Sequence, residues 1–189
     1  MSKKVKVIMG SVREARAGEA VAEWFMEHTK RFENDIHFEL VDLAQVNLPL
    51  MDEPAPAMAG NAYVHQHTKD WSKSISEADG FVFITPEYNH GYSPALKNAV
   101  DYLYSEWKDK PAAMVGYGSA GASHAIRQFR EVLEFVGVRP LADQVGIDQI
   151  WDAFDKQGHI KQEKIRGDVV ALIRSLKDEL SSDSASSAA

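Results

Sequence analysis

Cysteine is absent from this chain, which excludes disulfides, thiolate nucleophiles and cysteine-bound metals at once. No apolar run approaches the ~18 residues that a membrane-spanning helix requires, so no membrane partner is expected. Positive charge is in deficit: 21 Lys and Arg stand against 28 Asp and Glu, for a net charge of −7. That balance argues against broad phosphate-backbone binding, and therefore against nucleic acid as a partner. The start, Met1-Ser2-Lys3-Lys4, runs straight into a predicted strand without the apolar core of a secretion signal, so a cytoplasmic protein is expected. Metal-ligand patterns such as H-E-x-x-H are missing. His65 and His67, with Glu53 upstream, have a spacing that builds no metal site and read as surface residues.

What remains is an ordinary globular composition of 189 residues, 44% apolar and 26% charged. Val5 to Met9 reads as a first strand, and Ala17, Ala20, Val21, Trp24, Phe25 and His28 follow at helical spacing. Ile36 to Val41 alternates as a second strand. The aperiodic stretch Asp42 to Gly60, with Pro49, Pro54 and Pro56, reads as an ordered excursion. A helix over about Val64 to Ala78 precedes the unbroken apolar run Phe81 to Ile84, which suits a strand buried on both faces. Ser93 to Trp107 is the next helix, Pro111 to Tyr117 the fourth strand, and Ala122 to Val136 its helix. Arg139 to Val145 is a weak fifth strand, and Ile165 to Leu180 reads as the last helix. Five β-α repeats predict an α/β fold, a doubly wound five-stranded parallel sheet of flavodoxin-like order with helices on both faces. One domain over residues 1–180 is expected, with the Ser/Ala-rich stretch 181–189 as a disordered tail.

Three loops stand where such a sheet binds ligands, beyond the carboxyl ends of its strands. The third strand is followed by Pro86-Glu87-Tyr88-Asn89-His90-Gly91-Tyr92, longer than the two to six residues usual for such connections. It leads into a helix that Ser93 can cap and Pro94 can start. The first turn, Gly10-Ser11-Val12-Arg13-Glu14-Ala15-Arg16-Ala17-Gly18, offers a helix N-terminus, a hydroxyl and two arginines, which suit a phosphate. The fourth strand ends in Gly116-Tyr117-Gly118-Ser119-Ala120-Gly121. These residues match G-x-G-x-x-G literally, with Asp143 downstream, but the fingerprint belongs to the first βαβ unit of a nucleotide-binding half. The turn reads instead as a small-residue loop admitting a flat ligand, with Gly118 and Ser119 as N–H donors. Ser119 and His124 lack the G-x-S-x-G elbow of a nucleophile. Tyr102, Leu103, Tyr104 and Trp107 exceed one core-facing stripe; core packing is the default reading, and a partner subunit facing some of them is the alternative.

With these residues in place, the sequence resembles the NADPH-dependent FMN reductase family of flavodoxin-like quinone and azo reductases. The resemblance rests on Gly10-Ser11-Val12-Arg13, Pro86-Glu87-Tyr88-Asn89-His90-Gly91-Tyr92, Ala95-Leu96-Lys97-Asn98-Ala99-Val100-Asp101 and Tyr117-Gly118-Ser119. The excursion Leu48-Pro49-Leu50-Met51-Asp52-Glu53-Pro54 is also similar to the family's linker, and the match covers roughly residues 3–145. It implies a noncovalent FMN, with Ser11, Arg13 and Arg16 at its phosphate. Pro86, Glu87, Tyr88 and Asn89 would line the isoalloxazine, and Tyr117, Gly118 and Ser119 would border the opposite part of the ring. It further implies ping-pong transfer, in which NADPH or NADH reduces the flavin and a small-molecule acceptor then takes the electrons. The cofactor carries that chemistry, so no acid, base, nucleophile or metal is assigned. Dimers, sometimes paired into tetramers, are implied as well. The Gly118-Ser119 pair departs from the two glycines of many relatives. A flavin electron carrier or a flavin-based redox sensor is the alternative.

Overall fold

A computed structural model describes residues 2–60 and 62–186 of the chain. Strand β1 (Lys3–Met9) leads through a long turn to helix α1 (Gly18–Thr29), and β2 (Ile36–Asp42) follows. The excursion holds a short helix, α2 (Leu43–Val46), and a 3-10 turn over Ala57–Ala59. Next come α3 (Gln66–Ser76), β3 (Gly80–Pro86), α4 (Pro94–Asp101), β4 (Pro111–Tyr117) and α5 (Ser123–Phe135). The chain finishes with β5 (Arg139–Pro140), β6 (Val145–Ile147), β7 (Ile165–Arg166) and α6 (Val169–Ser186).

The sheet order is β2-β1-β3-β4-β6-β7, with β5 also paired to β4. All pairings are parallel except β6 with β7. This is the expected doubly wound order with an antiparallel strand added at one edge. Every residue of β3 and β4 is buried, because helices cover both faces of the central strands. Val7, Val82 and Val115 face a core layer with Phe25 and Ile173, whereas Phe81, Phe83 and Met114 face Trp107 and Phe129.

Four sequence expectations need correction. The fifth strand is split. Arg139 pairs with Pro111 but Val145 pairs with Val115, so two extra residues lie in this strand between the pairings, and the chain bulges after Pro140. Helix α4 stops at Asp101 rather than Trp107, and only a 3-10 turn, Ser105–Trp107, follows. Tyr102, Leu103 and Trp107 are fully buried, so they form core rather than spare surface for a partner. Ile165 lies in β7, not in the last helix, and α6 carries its backbone helix through 181–186, the start of the expected disordered tail. Residues 187–189 of that tail lie outside the described residues.

Candidate cofactor site

The register of β1, β3 and β4 brings their carboxyl ends together, and the three loops of interest leave from one edge of the sheet. Gly10 extends the β1–β3 pairing by donating to Ile84 O at 2.9 Å. A Cβ there would lie 2.4 Å from Leu96 Cδ1, so only glycine fits. Ser93 Oγ donates to Gly10 O at 2.5 Å and accepts from Ala95 N at 3.2 Å. One hydroxyl thus caps α4, as the sequence suggests, and fastens it to the first turn.

In that first turn Ser11 is buried, and its hydroxyl pairs with Tyr88 OH at 2.9 Å. The two arginines part company. Arg16 folds beneath the turn with 8% of its side chain exposed. Its Nη1 donates to Ser11 O at 2.6 Å, and its Nη2 donates to Asp42 Oδ2 at 2.6 Å and Glu19 Oε1 at 3.0 Å. Burial works against the Arg16 charge, but the bonds to Asp42 and Glu19 outweigh it and hold the guanidinium above its ordinary pKa. Arg16 therefore braces the turn against the end of β2, and this geometry does not support the expectation that it takes a phosphate. Arg13 is exposed, makes no ion pair among the described residues, and lies 5.9 Å from the Tyr88 ring centroid. Helix α1 begins at Gly18 after Ala17, which supplies no side-chain cap, so its positive dipole end faces the same turn.

Tyr117 also belongs here. Its side chain is buried and reaches from the end of β4 to the first turn, where a Cβ on Gly18 would lie 2.6 Å from its hydroxyl. The hydroxyl of Tyr117, a residue expected at the ring, thus lies beside the first turn. Among the described residues the hydroxyl is buried without a hydrogen-bond partner, although Ser11 lies nearby. Burial pushes the phenol well above its ordinary pKa, with smaller opposing effects from Ser11, Arg16 and Arg13. It is therefore a neutral donor at working pH. A buried donor without a partner costs about 1–3 kcal/mol, and a ligand oxygen in this turn would offset that cost.

Beyond Pro86, which ends β3, Tyr88 and Gly91 exchange reciprocal bonds of 2.8 and 2.9 Å around Asn89 and His90. Asn89 has φ 51° and His90 φ 66°, the mark of a type I′ turn, and both project from the surface. Glu87 N donates to Tyr117 O at 3.1 Å. The Glu87 carboxylate accepts from His124 N at 3.0 Å and Ala125 N at 3.1 Å, capping α5 from another loop. Gly118 approaches Glu87 so closely that a Cβ would meet Glu87 Cβ at 3.3 Å. The Gly118 N–H is taken by Ile147 O at 3.2 Å, which leaves Ser119 of the two expected donors. Two further contributors escaped the sequence reading. The segment after β6 pairs with this loop, through Ile150 N to Gly118 O at 3.1 Å and Gln149 N to Ser119 O at 3.3 Å. The rings of His90 and His124 also stack across the two loops, with centroids 4.1 Å apart and planes 13° apart. G-Y-G-S and N-H mark these positions only as turns; the partners lie too far along the chain to be read from spacing.

His65 and His67 bind Asp52, through its backbone oxygen at 3.1 Å and Oδ1 at 2.9 Å, and so anchor the excursion. Among the described residues no group of three or more His, Asp or Glu could hold a metal ion.

An uncapped helix start, one unpaired arginine and an unpartnered buried hydroxyl, at the carboxyl ends of parallel strands where such sheets bind ligands, define a flavodoxin-like protein suited to a phosphorylated cofactor. The sequence model of the family NADPH-dependent FMN reductase matches residues 3–152. The chain belongs to that family, an oxidoreductase with FMN as cofactor and NAD(P)H as electron donor. It is 45% identical over 137 residues to an NAD(P)H-dependent FMN reductase of Schizosaccharomyces pombe, covering 72% of this chain and 68% of that protein. It is 31% identical over 175 residues to one of Pseudomonas aeruginosa, covering 88% and 90%. The fold is similar to FerB, a flavoenzyme NAD(P)H:(acceptor) oxidoreductase from Paracoccus denitrificans, with TM-score 0.73 and 24% identity over 95% of this chain and 98% of that one. No helix among the described residues is long and apolar enough to cross a membrane.

Proposed function

We propose that this reductase works by ping-pong transfer, with NAD(P)H reducing FMN and leaving before a small planar acceptor such as a quinone, an azo compound or free flavin takes the electrons. The balance is NAD(P)H, one proton and an oxidised acceptor in, NAD(P)+ and the two-electron-reduced acceptor out. FMN supplies the hydride chemistry when bound. The residues supply the rest. Ser11, Arg13 and the start of α1 hold the phosphate, and the neutral Tyr117 hydroxyl donates to an oxygen of the same end of the cofactor. Pro86 to Asn89 and Ser119 frame the ring, while Glu87 locks the two ring loops together. The observation that carries this reading is the buried, unpartnered Tyr117 hydroxyl beside an uncapped helix start.

The acceptor class follows the relatives. A quinone reductase of Pseudomonas putida is 32% identical over 134 residues, and an NAD(P)H:quinone oxidoreductase of Solanum tuberosum 27% identical over 181. We take the compartment to be the cytoplasm, because the reaction draws on NAD(P)H. We also infer a homodimer. A groove of about 690 Å³ between the excursion, α4 and α5 is flanked by Met58, 61% exposed, and Phe135, 72% exposed, apolar surface that a second copy would cover. Light scattering should then report about 42 kDa, twice the 21.0 kDa chain.

The deciding experiment is spectroscopic. Protein loaded with FMN should show a flavin spectrum that NADPH bleaches within seconds without oxygen and that added quinone restores. Initial rates should give parallel double-reciprocal lines. Protein that cannot be loaded with FMN refutes the site, and loaded protein that NAD(P)H leaves oxidised points to an electron carrier or redox sensor.

A further inference from the structure

Two pairs of stacked imidazoles occur in this structure, and only one is accounted for. His65 and His67 stack at 5.2 Å, and each has a ring nitrogen on Asp52. His90 and His124 stack more closely, at 4.1 Å, yet among the described residues no hydrogen bond or ion pair engages either ring. Their backbones, by contrast, are fixed. Gln128 Nε2 donates to His90 O at 3.0 Å, and His124 N donates to Glu87 at 3.0 Å. His90 also occupies the second central position of its turn with φ 66°, a place that favours glycine. A side chain kept there at some strain, and held rigid on a neighbour, points to a use for the ring. One face of His90 lies against His124, and the residue is nevertheless exposed, so its other face is open. The pair joins the tip of the turn after β3, at His90, to the first turn of α5, at His124.

We propose that the His90–His124 stack is a platform on which the ring system of a planar electron acceptor lies, so that these residues favour fused-ring acceptors over single-ring ones. This rests on the reductase reading above. A third flat ring added to a preformed pair gains an aromatic contact without any rearrangement of the protein. Removing the His90 ring should lower the rate constant for a fused-ring acceptor about three- to ten-fold, the size of one aromatic contact. A single-ring acceptor, with less flat area to lay on the platform, should be spared.

The test uses His90→Ala, His124→Ala and His90→Phe, each saturated with FMN. Stopped-flow reoxidation of the NADPH-reduced protein compares benzoquinone with naphthoquinone, and equilibrium titration of oxidised protein with anthraquinone-2-sulfonate measures platform binding without turnover. Both alanine variants should lose three- to ten-fold with naphthoquinone and in anthraquinone affinity. Benzoquinone reoxidation, flavin reduction by NADPH and FMN affinity should stay within two-fold, and His90→Phe should restore what His90→Ala loses. Equal losses with both quinones, unchanged anthraquinone affinity, or failure of phenylalanine to rescue would each overturn the proposal. A loss confined to flavin reduction by NADPH would overturn it too, by assigning the platform to the donor. Wild-type protein whose FMN is not reduced by NADPH would refute the reductase reading, whereas the anthraquinone titration would still judge the platform.

Discussion

Glu87 is the only carboxylate in the turn after β3, and its location invites a catalytic role that the geometry does not support. Its Oε2 receives both the His124 and Ala125 N–H groups at the first turn of α5. Losing two charge-assisted bonds at a helix start, in a half-buried setting, should cost about 2–3 kcal/mol in Glu87→Ala. For a chain of this size that corresponds to a fall in Tm of about 5–10 °C. Glu87→Gln keeps an oxygen that can accept the same two bonds and forfeits mainly the charge–dipole attraction, about 0.3–1 kcal/mol, or roughly 1–3 °C. Melting curves of FMN-free protein measure both shifts. The decisive assay is stopped-flow reduction of Glu87→Gln by NADPH with FMN saturating. A positioning residue should leave that rate within a few-fold of wild type, while loss of a general acid or base costs about 10²–10⁴-fold. A fall of the latter size with the flavin fully bound, and a melting temperature close to wild type, would refute the reasoning.

The two arginines should separate by assay. Arg13→Ala should weaken FMN binding about ten- to a hundred-fold in a fluorescence titration, with little change in Tm. Arg16→Ala leaves Asp42 buried without its partner and should destabilise the FMN-free protein by about 3–5 kcal/mol in urea. Tyr117→Phe removes a buried hydroxyl without a partner, so the FMN-free protein should be as stable as wild type or more so, while FMN affinity falls about three- to ten-fold. Equal affinity would exclude the hydroxyl from the site. Burial would raise the Glu106 pKa, but bonds from Ser72 at 2.6 Å and Tyr63 at 2.9 Å, with a backbone N–H, hold it below its ordinary 4.5. Its stabilisation is therefore present above pH 4.5 and lost as pH falls through the lower folded value, and Glu106→Gln should flatten that part of the stability–pH curve.

The layering of this fold was legible because central parallel strands are apolar on both faces and helices repeat at 3.6 residues. Pro111 to Tyr117 was read with its observed bounds, and Ser93-Pro94 announced α4 by cap and first position. Features set by distant partners were not legible. The role of Arg16 depends on Asp42, 26 residues on, and that of Glu87 on a helix start 37 residues on. The resemblance placed Tyr117 at the ring, and nothing in its local sequence announced that its hydroxyl would lie beside Gly18, 99 residues back. The aromatic surplus at Tyr102 to Trp107 left a partner face open beside the default of core packing, because the turn after the helix also packs inward, which periodicity of a single helix does not anticipate.

On the proposed reading of the first turn, the same contacts would let an acidic chain accommodate an anion. A net charge of −7 repels a phosphate at long range, and one of the two arginines in the turn is already neutralised by Asp42. What remains is short-ranged: the α1 dipole, the Arg13 charge, and neutral donors whose strength rises as water leaves. Neutral donors are insensitive to the protein's overall charge, so a site built largely from them tolerates an acidic surface. The bracing of Arg16 then has a purpose beyond stability. It ties Ser11 O to the end of β2, so under the proposed phosphate role the cofactor would meet donors already in place rather than order them on arrival.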